Sequence, residues 1–295
     1  MPLSRRGTVA LAVAAGVAVA AAVVVTIGVG LGAPQTATST ETAAVTPTPT
    51  PTPTPTATGP AADTAVYDLS GLPTADVFAV NPALPVDDDP AGGSTGYVAT
   101  PASDAIPVFA APGTAPVAAL PSALTYGGTT LPVIEKDDNW VRVLISGRQA
   151  TPSEGDPAQL TAWLRAADVT LSQDDTRVEV SLSARTITIV SPTGSELVTS
   201  DFGWGAAATP TPVGRTFIMY NAVTSFSYTR GHPIVYLGIQ SPVLDGFDGQ
   251  SVAVTAFHYY DDHDGPISNG CIRLGADAID RLAQLPLGTL VTITA

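Results

Sequence analysis

One cysteine and one histidine stand at a spacing that suits nucleophilic catalysis. Cys271 is the only cysteine in the 295-residue chain; it follows Gly270 and lies thirteen positions after His258. A lone thiol cannot form an intramolecular disulfide, so Cys271 is either a small buried residue or a nucleophile. A nucleophile needs a base, here His258, and oxyanion donors, here the backbone N–H groups of Gly270 and Cys271. The residue types alone leave both interpretations open.

A second cluster, residues 261–264, places His263 among three aspartates and invites comparison with a metal site. Catalytic zinc sites take about three protein ligands that converge on the ion. One histidine among loop carboxylates does not have that spacing. We therefore expect a solvated loop here, no metal and no cofactor.

The segment 176–295 is predicted to be a β-rich domain that positions the cysteine and the histidine. Residues 178–182 alternate apolar and polar side chains and precede the run 186–190, which predicts consecutive hairpin strands. One helix is predicted from the helical spacing of Ile279, Leu282 and Ala283. Further strands are expected at 216–220, 234–237, 252–257 and 290–293, and the helix at 276–283.

Residues 94–173 predict a small antiparallel β-barrel. Short β-rich pieces separated by Gly and Pro turns recur at 96–99, 106–109, 131–134, 139–145 and 161–164. Their order, in which a Trp-Val-Arg-Val strand is followed by a closing strand that contains Trp-Leu, resembles a bacterial SH3-like domain. The predicted fold class is mainly β, with one or two short helices in the C-terminal domain.

The N-terminal residues predict export. Arg5 and Arg6 precede an uncharged apolar run that ends at residue 33 and exceeds the roughly 20 residues that span a bilayer. Segment 1–33 is predicted to be a membrane anchor or, if cleaved, a signal segment that leads to secretion. The two arginines place the rest of the chain outside the cytoplasm, in the cell envelope. Segment 34–93 is predicted to be an Ala/Thr/Pro-rich disordered linker with an irregular lead-in from about residue 63.

The net charge excludes one class of partner. The chain has 12 Lys and Arg residues against 26 Asp and Glu residues, a formal net charge of −14. Binding to nucleic acid needs clustered positive charge on the protein. We therefore expect no nucleic-acid partner, and we attribute the acidity to solubility.

Three sequence blocks in the C-terminal domain resemble the motifs of a known protein family. They are TPTPVGRTFI at 209–218, Phe257-His258, and GPISNGCIRL at 265–274. In type, order and approximate spacing they resemble the catalytic domain of the YkuD-type L,D-transpeptidases, which act on bacterial cell-wall peptidoglycan. The resemblance implies a β-rich catalytic domain that binds peptidoglycan stem peptides.

The resemblance also implies roles for individual residues. Cys271 matches the acyl-accepting nucleophile, His258 the general base, and Gly270 the backbone of the oxyanion hole. The family usually carries His where this chain has Asn269, a change that removes one imidazole and leaves the nucleophile and base in place. The backbone carbonyl of Tyr259 is a candidate acceptor that orients His258. Substrate-binding roles are implied for Ser268, Asn269, Arg273, Tyr259 and, in a flap over the groove, His232.

The implied reaction forms 3→3 peptidoglycan cross-links. Cys271 would take the acyl group of a donor tetrapeptide as a thioester, release the terminal D-Ala, and pass the acyl group to the amine of an acceptor stem. Carbapenems, which acylate this family, are expected to acylate the same thiol. Three alternatives stay open: an L,D-carboxypeptidase, attachment of a protein to the wall through the same thioester, and a non-catalytic peptidoglycan-binding wall protein.

Overall fold

The computed structural model describes residues 59–295, which fold around two β-sheets. The predicted anchor or signal segment 1–33 and most of the predicted linker lie outside the described residues. Within residues 59–295, no helix combines the length and the apolar character needed to cross a membrane.

The lead-in, residues 59–96, has no helix and no regular strand, yet it packs along the first sheet. Isolated bridges join Thr74 to Ala119, Val80 to Arg148 and Val86 to Leu160. Three of its apolar side chains are buried in the core of that sheet: Ala75, Val77 and Leu84. The chain therefore enters the first sheet as an ordered, extended segment.

The first sheet has seven strands, and all of its pairs are antiparallel. They are β1 (Tyr97–Pro101), β2 (Ala105–Phe109), β3 (Pro116–Pro121), β4 (Leu131–Lys136), β5 (Trp140–Ile145), β6 (Leu160–Arg165) and β7 (Val169–Gln173), in the order β3-β2-β6-β5-β4-β1-β7. The central strand β5 reads WVRVLI, and all its residues except Arg142 are buried, as expected for β-branched and aromatic side chains in a sheet core. The likeness to an SH3-like domain stays a prediction.

The second sheet has ten strands, in the order β10-β9-β8-β17-β12-β13-β14-β16-β11-β15. They are β8 (Arg177–Ser181), β9 (Thr186–Ser191), β10 (Gly194–Thr199), β11 (Phe202–Gly205), β12 (Gly214–Val223), β13 (Pro233–Gln240), β14 (Val254–Tyr259), β15 (Gly265–Ser268), β16 (Ile272–Leu274) and β17 (Leu290–Thr294). One α-helix, α1 (Ala276–Leu282), lies between β16 and β17 in the chain. The last strand, β17, occupies the middle of the sheet, parallel to β8 and antiparallel to β12.

The two faces of the second sheet pack against different partners. On one face, α1 and the central strands share a core that includes Ile279, Leu282, Val235, Leu237 and Phe257. On the other face, Phe217 and Met219 of β12 are buried in the core of the first sheet, and Tyr220 and Tyr236 pack against that core. The register of β12 and β13 shifts between Ile218 and Tyr220. This β-bulge turns both Met219 and Tyr220 toward the first sheet.

Two buried arginines join the two sheets. Arg215 of β12 makes a bidentate ion pair with Asp87 of the lead-in, with nitrogen–oxygen distances of 2.8 and 2.7 Å, and both side chains are almost fully buried. Arg148, which follows β5, donates through Nη2 to the carbonyl oxygens of Asp245 and Ser251 in the loop between β13 and β14. The second sheet is thus tied to the lead-in and to the first sheet by charged groups that are shielded from water.

The structure confirms the mainly β fold class and most of the predicted elements. The two hairpin strands are β8 and β9, and the predicted helix is α1, which ends at Leu282. The strand expected at 252–257 is β14, displaced by two residues to 254–259. Six strands were not predicted: β3, β7, β10, β11, β15 and β16.

Candidate active site

The parallel pairing of β14 with β16 brings the histidine and the cysteine to one face of the sheet. In this pair Phe257 lies opposite Ile272, and His258 lies opposite Arg273. Cys271 immediately precedes β16, so the same register continues to Ala256. Because side chains alternate between faces along a strand, Cys271 and Arg273 lie on the face that carries His258. The other face holds Phe257 and Ile272 in the core shared with α1.

The thiol of Cys271 is partly buried. Its Sγ donates a weak hydrogen bond to the carbonyl oxygen of Val254 at 3.8 Å. Burial raises the pKa of the Cys271 thiol, while a hydrogen bond from the Ala256 backbone and the positive charge of Arg273 act in the opposite direction. Burial is the largest of these effects, so the resting residue is a neutral thiol.

His258 is held as a neutral base. The residue is buried, and its Nδ1 lies 2.9 Å from the backbone carbonyl oxygen of Tyr259. A carbonyl oxygen only accepts hydrogen bonds, so Nδ1 carries the proton and Nε2 keeps its lone pair. Burial lowers the pKa of His258, the Tyr259 hydrogen bond opposes this, and Arg273 lowers the pKa further. The Tyr259 carbonyl oxygen, the candidate named from the sequence, thus accepts the hydrogen bond that orients His258.

Ser268 holds the loop before Cys271 through two hydrogen bonds. Ser268 is buried, and its Oγ donates to the carbonyl oxygen of Cys271 and accepts the N–H of Gly270 at 3.1 Å. Gly270 has φ +112°, a conformation that glycine adopts and other residues rarely do. The resemblance implies a substrate contact for Ser268 and an oxyanion donor at Gly270, and both roles stay predictions. In this structure the Ser268 hydroxyl positions the loop and accepts the Gly270 N–H.

Residues at and just before the sequence block 209–218 support this loop through hydrogen bonds. The Ser268 carbonyl oxygen accepts the Ala206 N–H at 2.9 Å and the Thr209 hydroxyl at 3.0 Å. Thr211 in turn accepts the Gly205 N–H through its Oγ1 at 2.8 Å. Residues 205–211 therefore fix the backbone that carries the nucleophile. This gives a physical reason for the block at 209–218 to accompany the cysteine block.

Aromatic rings surround the histidine and the arginine. The ring of Tyr228, in the short 3-10 helix Ser227–Thr229, lies 5.3 Å from the His258 ring, and the Tyr260 ring lies 6.1 Å from it. The Arg273 guanidinium lies over the Tyr260 ring at 4.0 Å, and its buried Nε has no hydrogen-bond partner within residues 59–295. Burial and the negative charge of a Cys271 thiolate raise the pKa of Tyr228 to about 12.

Tyr236 borders the nucleophile from the neighbouring strand. It lies opposite Ala256 in the β13–β14 pair, on the face of Cys271. Burial raises the pKa of Tyr236, and the charge of a Cys271 thiolate raises it further. The sequence predicts Tyr236 as part of the strand 234–237, and it assigns no role to Tyr228 or Tyr260. The available signal was the pair Phe226 and Tyr228 in an otherwise polar loop before β13.

Two predicted substrate contacts, His232 and Tyr259, lie elsewhere. Tyr259 follows His258 in β14, so its ring points to the opposite face, where it packs against the core shared with α1. The His232 ring stacks on the Tyr259 ring at 4.9 Å, and its Nδ1 lies 2.8 Å from Asp280 of α1. The His232 and Tyr259 rings therefore lie together on the face opposite Cys271, and a contact of either side chain with substrate stays a prediction. Tyr259 acts at the site through its backbone carbonyl.

Of the two remaining predicted positions, Asn269 lies at the site and His263 lies in the loop 261–264. Asn269 is exposed beside the nucleophile loop, where it presents an amide to solvent or to a ligand. His263 lies in the 261–264 loop, with Nδ1 2.8 Å from the Tyr260 carbonyl oxygen. Among the residues that the structure describes, no three His, Cys, Asp or Glu side chains converge as a metal site.

The geometry supports acyl transfer to a thiol. A neutral cysteine and a neutral imidazole share one face, and the imidazole has a free Nε2 to accept the thiol proton as the sulfur attacks a carbonyl. Arg273 adds a fixed positive charge on the same face. The aromatic rings limit the access of water.

Comparison with known proteins finds solved structures that resemble part of the chain. A comparison with curated protein sequences finds no match. Solved structures with similarity include an L,D-transpeptidase from Mycobacterium smegmatis, with 14% identity over 53% of this chain and 91% of that chain and a TM-score of 0.31. An L,D-transpeptidase from Mycobacterium tuberculosis has 15% identity over 58% of this chain and 96% of that chain, with a TM-score of 0.32. The catalytic domain of the Enterococcus faecium L,D-transpeptidase has 22% identity over 40% of this chain and 96% of that chain, with a TM-score of 0.28.

A protein-family comparison covers the region that carries the thiol site. Residues 175–293 match the YkuD family, described as the L,D-transpeptidase catalytic domain. The matched residues include all ten strands of the second sheet except the last residue of β17, together with Cys271 and His258. Residues 175–293 are therefore an L,D-transpeptidase catalytic domain of the YkuD family.

Proposed function

We propose that the protein forms 3→3 cross-links between peptidoglycan stem peptides through a thioester on Cys271. The observation that carries the proposal is the neutral His258, with Nδ1 bound to the Tyr259 carbonyl and Nε2 free, on the face of the only thiol. This arrangement suits a base that first removes the thiol proton and then protonates a leaving amine.

In the first half-reaction, Cys271 Sγ attacks the carbonyl that joins the third residue of a donor tetrapeptide to its terminal D-Ala. Nε2 of His258 takes the thiol proton as the carbon–sulfur bond forms. The tetrahedral intermediate then collapses, the carbon–nitrogen bond breaks, and His258 gives its proton to the amine of D-Ala. The donor remains as a thioester, and His258 is neutral again.

In the second half-reaction, an amine on the third residue of an acceptor stem attacks the thioester carbonyl. His258 removes a proton from this amine, and the sulfur leaves as a thiolate that the same proton neutralises. The products are a new amide and free Cys271. A water molecule in place of the amine would give a carboxypeptidase instead, and the aromatic rings of Tyr228 and Tyr260 favour the amine by limiting water.

Intact-mass spectrometry with a disaccharide tetrapeptide donor and acceptor tests this proposal. We expect a mass increase equal to the donor acyl group on the wild-type protein, none on Cys271→Ala, and cross-linked dimers among the products. A carbapenem should add its mass to the wild-type protein and not to Cys271→Ala. Ser195→Ala, a change at an exposed position of β10, serves as the matched control and should acylate like the wild type.

The outcomes separate the competing functions. Acylation with a hydrolysed tripeptide and no dimer would replace the transpeptidase with a carboxypeptidase. An absence of any acyl adduct on the intact protein would leave a non-catalytic wall-binding protein. Transfer of the acyl group to a protein amine in place of a stem peptide would indicate protein attachment to the wall.

We also propose that the catalytic domain works outside the cytoplasm, held by segment 1–33. The support is the uncharged apolar run behind Arg5 and Arg6, together with the Thr/Pro-rich residues that follow it. Cell fractionation combined with protease treatment of intact wall-free cells tests this. Membrane-bound protein that is degraded from outside supports the anchor. Protein in the medium indicates cleavage, and protein protected in the cytoplasm contradicts the proposal.

A further inference from the structure

A continuous series of aromatic side chains runs from the active-site thiol to the edge of the first sheet. Tyr236 borders Cys271, and the Tyr220 ring stacks on Tyr236 with ring centroids 6.2 Å apart. Tyr126 meets Tyr220 edge-on at 6.5 Å, and Phe78 meets Tyr126 at 5.5 Å. We call Tyr236, Tyr220, Tyr126 and Phe78 the aromatic strip.

Half of the aromatic strip comes from outside the catalytic domain. Tyr220 and Tyr236 belong to β12 and β13. Tyr126 belongs to the loop between β3 and β4 of the first sheet, and Phe78 belongs to the lead-in. Residues far apart in the chain therefore build one surface that ends at the nucleophile.

The loop that carries Tyr126 is fitted to the catalytic domain. The Gly128 N–H donates to the carbonyl oxygen of Met219, the residue at the β-bulge, at 3.2 Å. Gly127 has φ +69°, and a Cβ at this residue would lie only 2.3 Å from the same carbonyl oxygen. Only glycine allows this approach, so the position of Tyr126 against Tyr220 is a fixed feature of the fold.

The lead-in end of the strip is fixed in a similar way. Val77, the neighbour of Phe78, is buried, and its carbonyl oxygen accepts the Gln240 Nε2–H at 2.8 Å. Gln240 is the last residue of β13. Phe78 is thus held to the strand that also carries Tyr236.

The outer two rings are open to solvent. Tyr126 is 52% exposed and Phe78 is 44% exposed. Packing between the sheets would bury these rings if it were their only role. Two exposed aromatic rings in mutual contact, joined through two more rings to a nucleophile, are typical of a surface that takes a ligand.

We infer that Tyr126 and Phe78 extend the substrate groove of the catalytic domain and bind the sugar ring attached to the stem peptide. This inference rests on the proposed function. The apolar C–H face of a pyranose ring stacks on an aromatic face, and the phenolic hydroxyl groups at the ring edges can bond to sugar hydroxyls. The strip contains no charged side chain, which favours a neutral sugar over an ionic group. Tyr126 acts here as a specificity-determining residue.

Steady-state kinetics of D-Ala release from two donors tests the inference on the full-length protein. One donor is the disaccharide tetrapeptide and the other is the same tetrapeptide without sugar. The readout is the ratio of their kcat/KM values. Loss of one stacking ring should lower this ratio about three- to tenfold in Tyr126→Ala, and Phe78→Ala should lower it in the same direction. Tyr126→Phe keeps the ring face and should keep most of the ratio.

Tyr67→Ala is the matched control, because Tyr67 is an aromatic residue of the lead-in that packs on Phe109, away from the strip. It should leave the ratio unchanged. A ratio that stays at the wild-type value in both Tyr126→Ala and Phe78→Ala would overturn the inference, as would a loss in Tyr126→Phe equal to that in Tyr126→Ala. Absence of D-Ala release from either donor by the wild-type protein would instead refute the proposed function.

Discussion

Burial shifts the pKa values of the two reacting residues in opposite directions. It lowers the pKa of His258 and raises the pKa of Cys271, so both residues are neutral near pH 7. A cysteine enzyme with a preformed thiolate and imidazolium would need the reverse of both shifts. In the proposed mechanism, the proton therefore moves from the thiol to His258 as the sulfur attacks the substrate carbonyl.

The first prediction concerns the pH dependence of thiol reactivity. Only the thiolate form of the cysteine is alkylated, and the raised pKa of Cys271 means that the thiolate forms only in the alkaline range. The rate of Cys271 alkylation by iodoacetamide should therefore climb steadily into the alkaline range, without a plateau between pH 6 and 8. Mass spectrometry over a pH series measures it, with glutathione as the reference thiol. A neutral plateau would reveal a thiolate–imidazolium pair.

The second prediction concerns the brace under the nucleophile. Ser268→Ala removes the hydroxyl that bonds both the Cys271 carbonyl oxygen and the Gly270 N–H in a buried loop. Leaving those groups unpaired costs about 1–3 kcal/mol, so thioester formation should slow about ten- to a hundredfold while the fold survives. The acylation rate and a thermal melt measure this. Ser195→Ala makes the same change on exposed β10; if it slowed acylation as much, the brace would have no special role.

Residue chemistry made part of the site predictable. A lone cysteine behind a glycine, with a histidine upstream, is visible in the sequence, as is a carbonyl next to that histidine. The positions of Tyr228 and Tyr260 are not visible, because aromatic residues in a loop carry no periodic signal. The Tyr259 ring lies on the face opposite the His258 ring for a simple reason: adjacent residues of a strand face opposite sides.

At the scale of elements, the site depends on short strands that cannot be predicted from the sequence. β11, β15 and β16 have four, four and three residues, too few for alternation to be read. Only the pairing of β16 with β14 gives them a place in the sheet. The longer strands β8, β9 and β12 could be predicted because their apolar residues repeat over five or more positions.

The third prediction concerns the 3-10 helix that covers the histidine. Tyr228→Ala would admit water to His258. The pKa of His258, which burial lowers, should then rise toward its ordinary value. A base with a higher pKa becomes protonated at higher pH, so acylation should be lost at a higher pH on acidification than in the wild type. The pH profile of acylation measures the shift. Tyr228→Phe keeps the ring and should keep the acid limb in place; an equal shift in both variants would point to the hydroxyl instead of burial.

At the scale of the whole molecule, the lead-in is part of the fold and not only a connection. Its acidic and Pro-containing sequence, with Asp87-Asp88-Asp89-Pro90, predicts an irregular segment. Asp87 is nevertheless buried against Arg215, which lies 128 residues later in the chain. No local pattern reveals an ion pair over such a distance, so the sequence could not predict which of the three aspartates is buried.

The fourth prediction compares two neighbouring aspartates. Asp87→Ala leaves the buried Arg215 without its partner and should lower the free energy of unfolding by about 3–5 kcal/mol. Asp88→Ala removes an exposed partner of Arg142 and should cost less than about 1 kcal/mol. Chemical denaturation of both variants measures the difference. Equal losses would mean that the Asp87 pair does not hold the lead-in to the catalytic domain.

The central place of β17 determines when the second sheet can be completed. This strand, the last in the chain, joins β8 on one side to β12 on the other. Until it has been synthesised, the β8–β10 hairpins lack their neighbour, and the strands around Cys271 are part of an unfinished sheet. Pairing over such a distance in the chain is slow and comes late in folding. Cys271 is therefore synthesised before the sheet that positions it is complete, and that sheet can close only after residues 290–294 have been added.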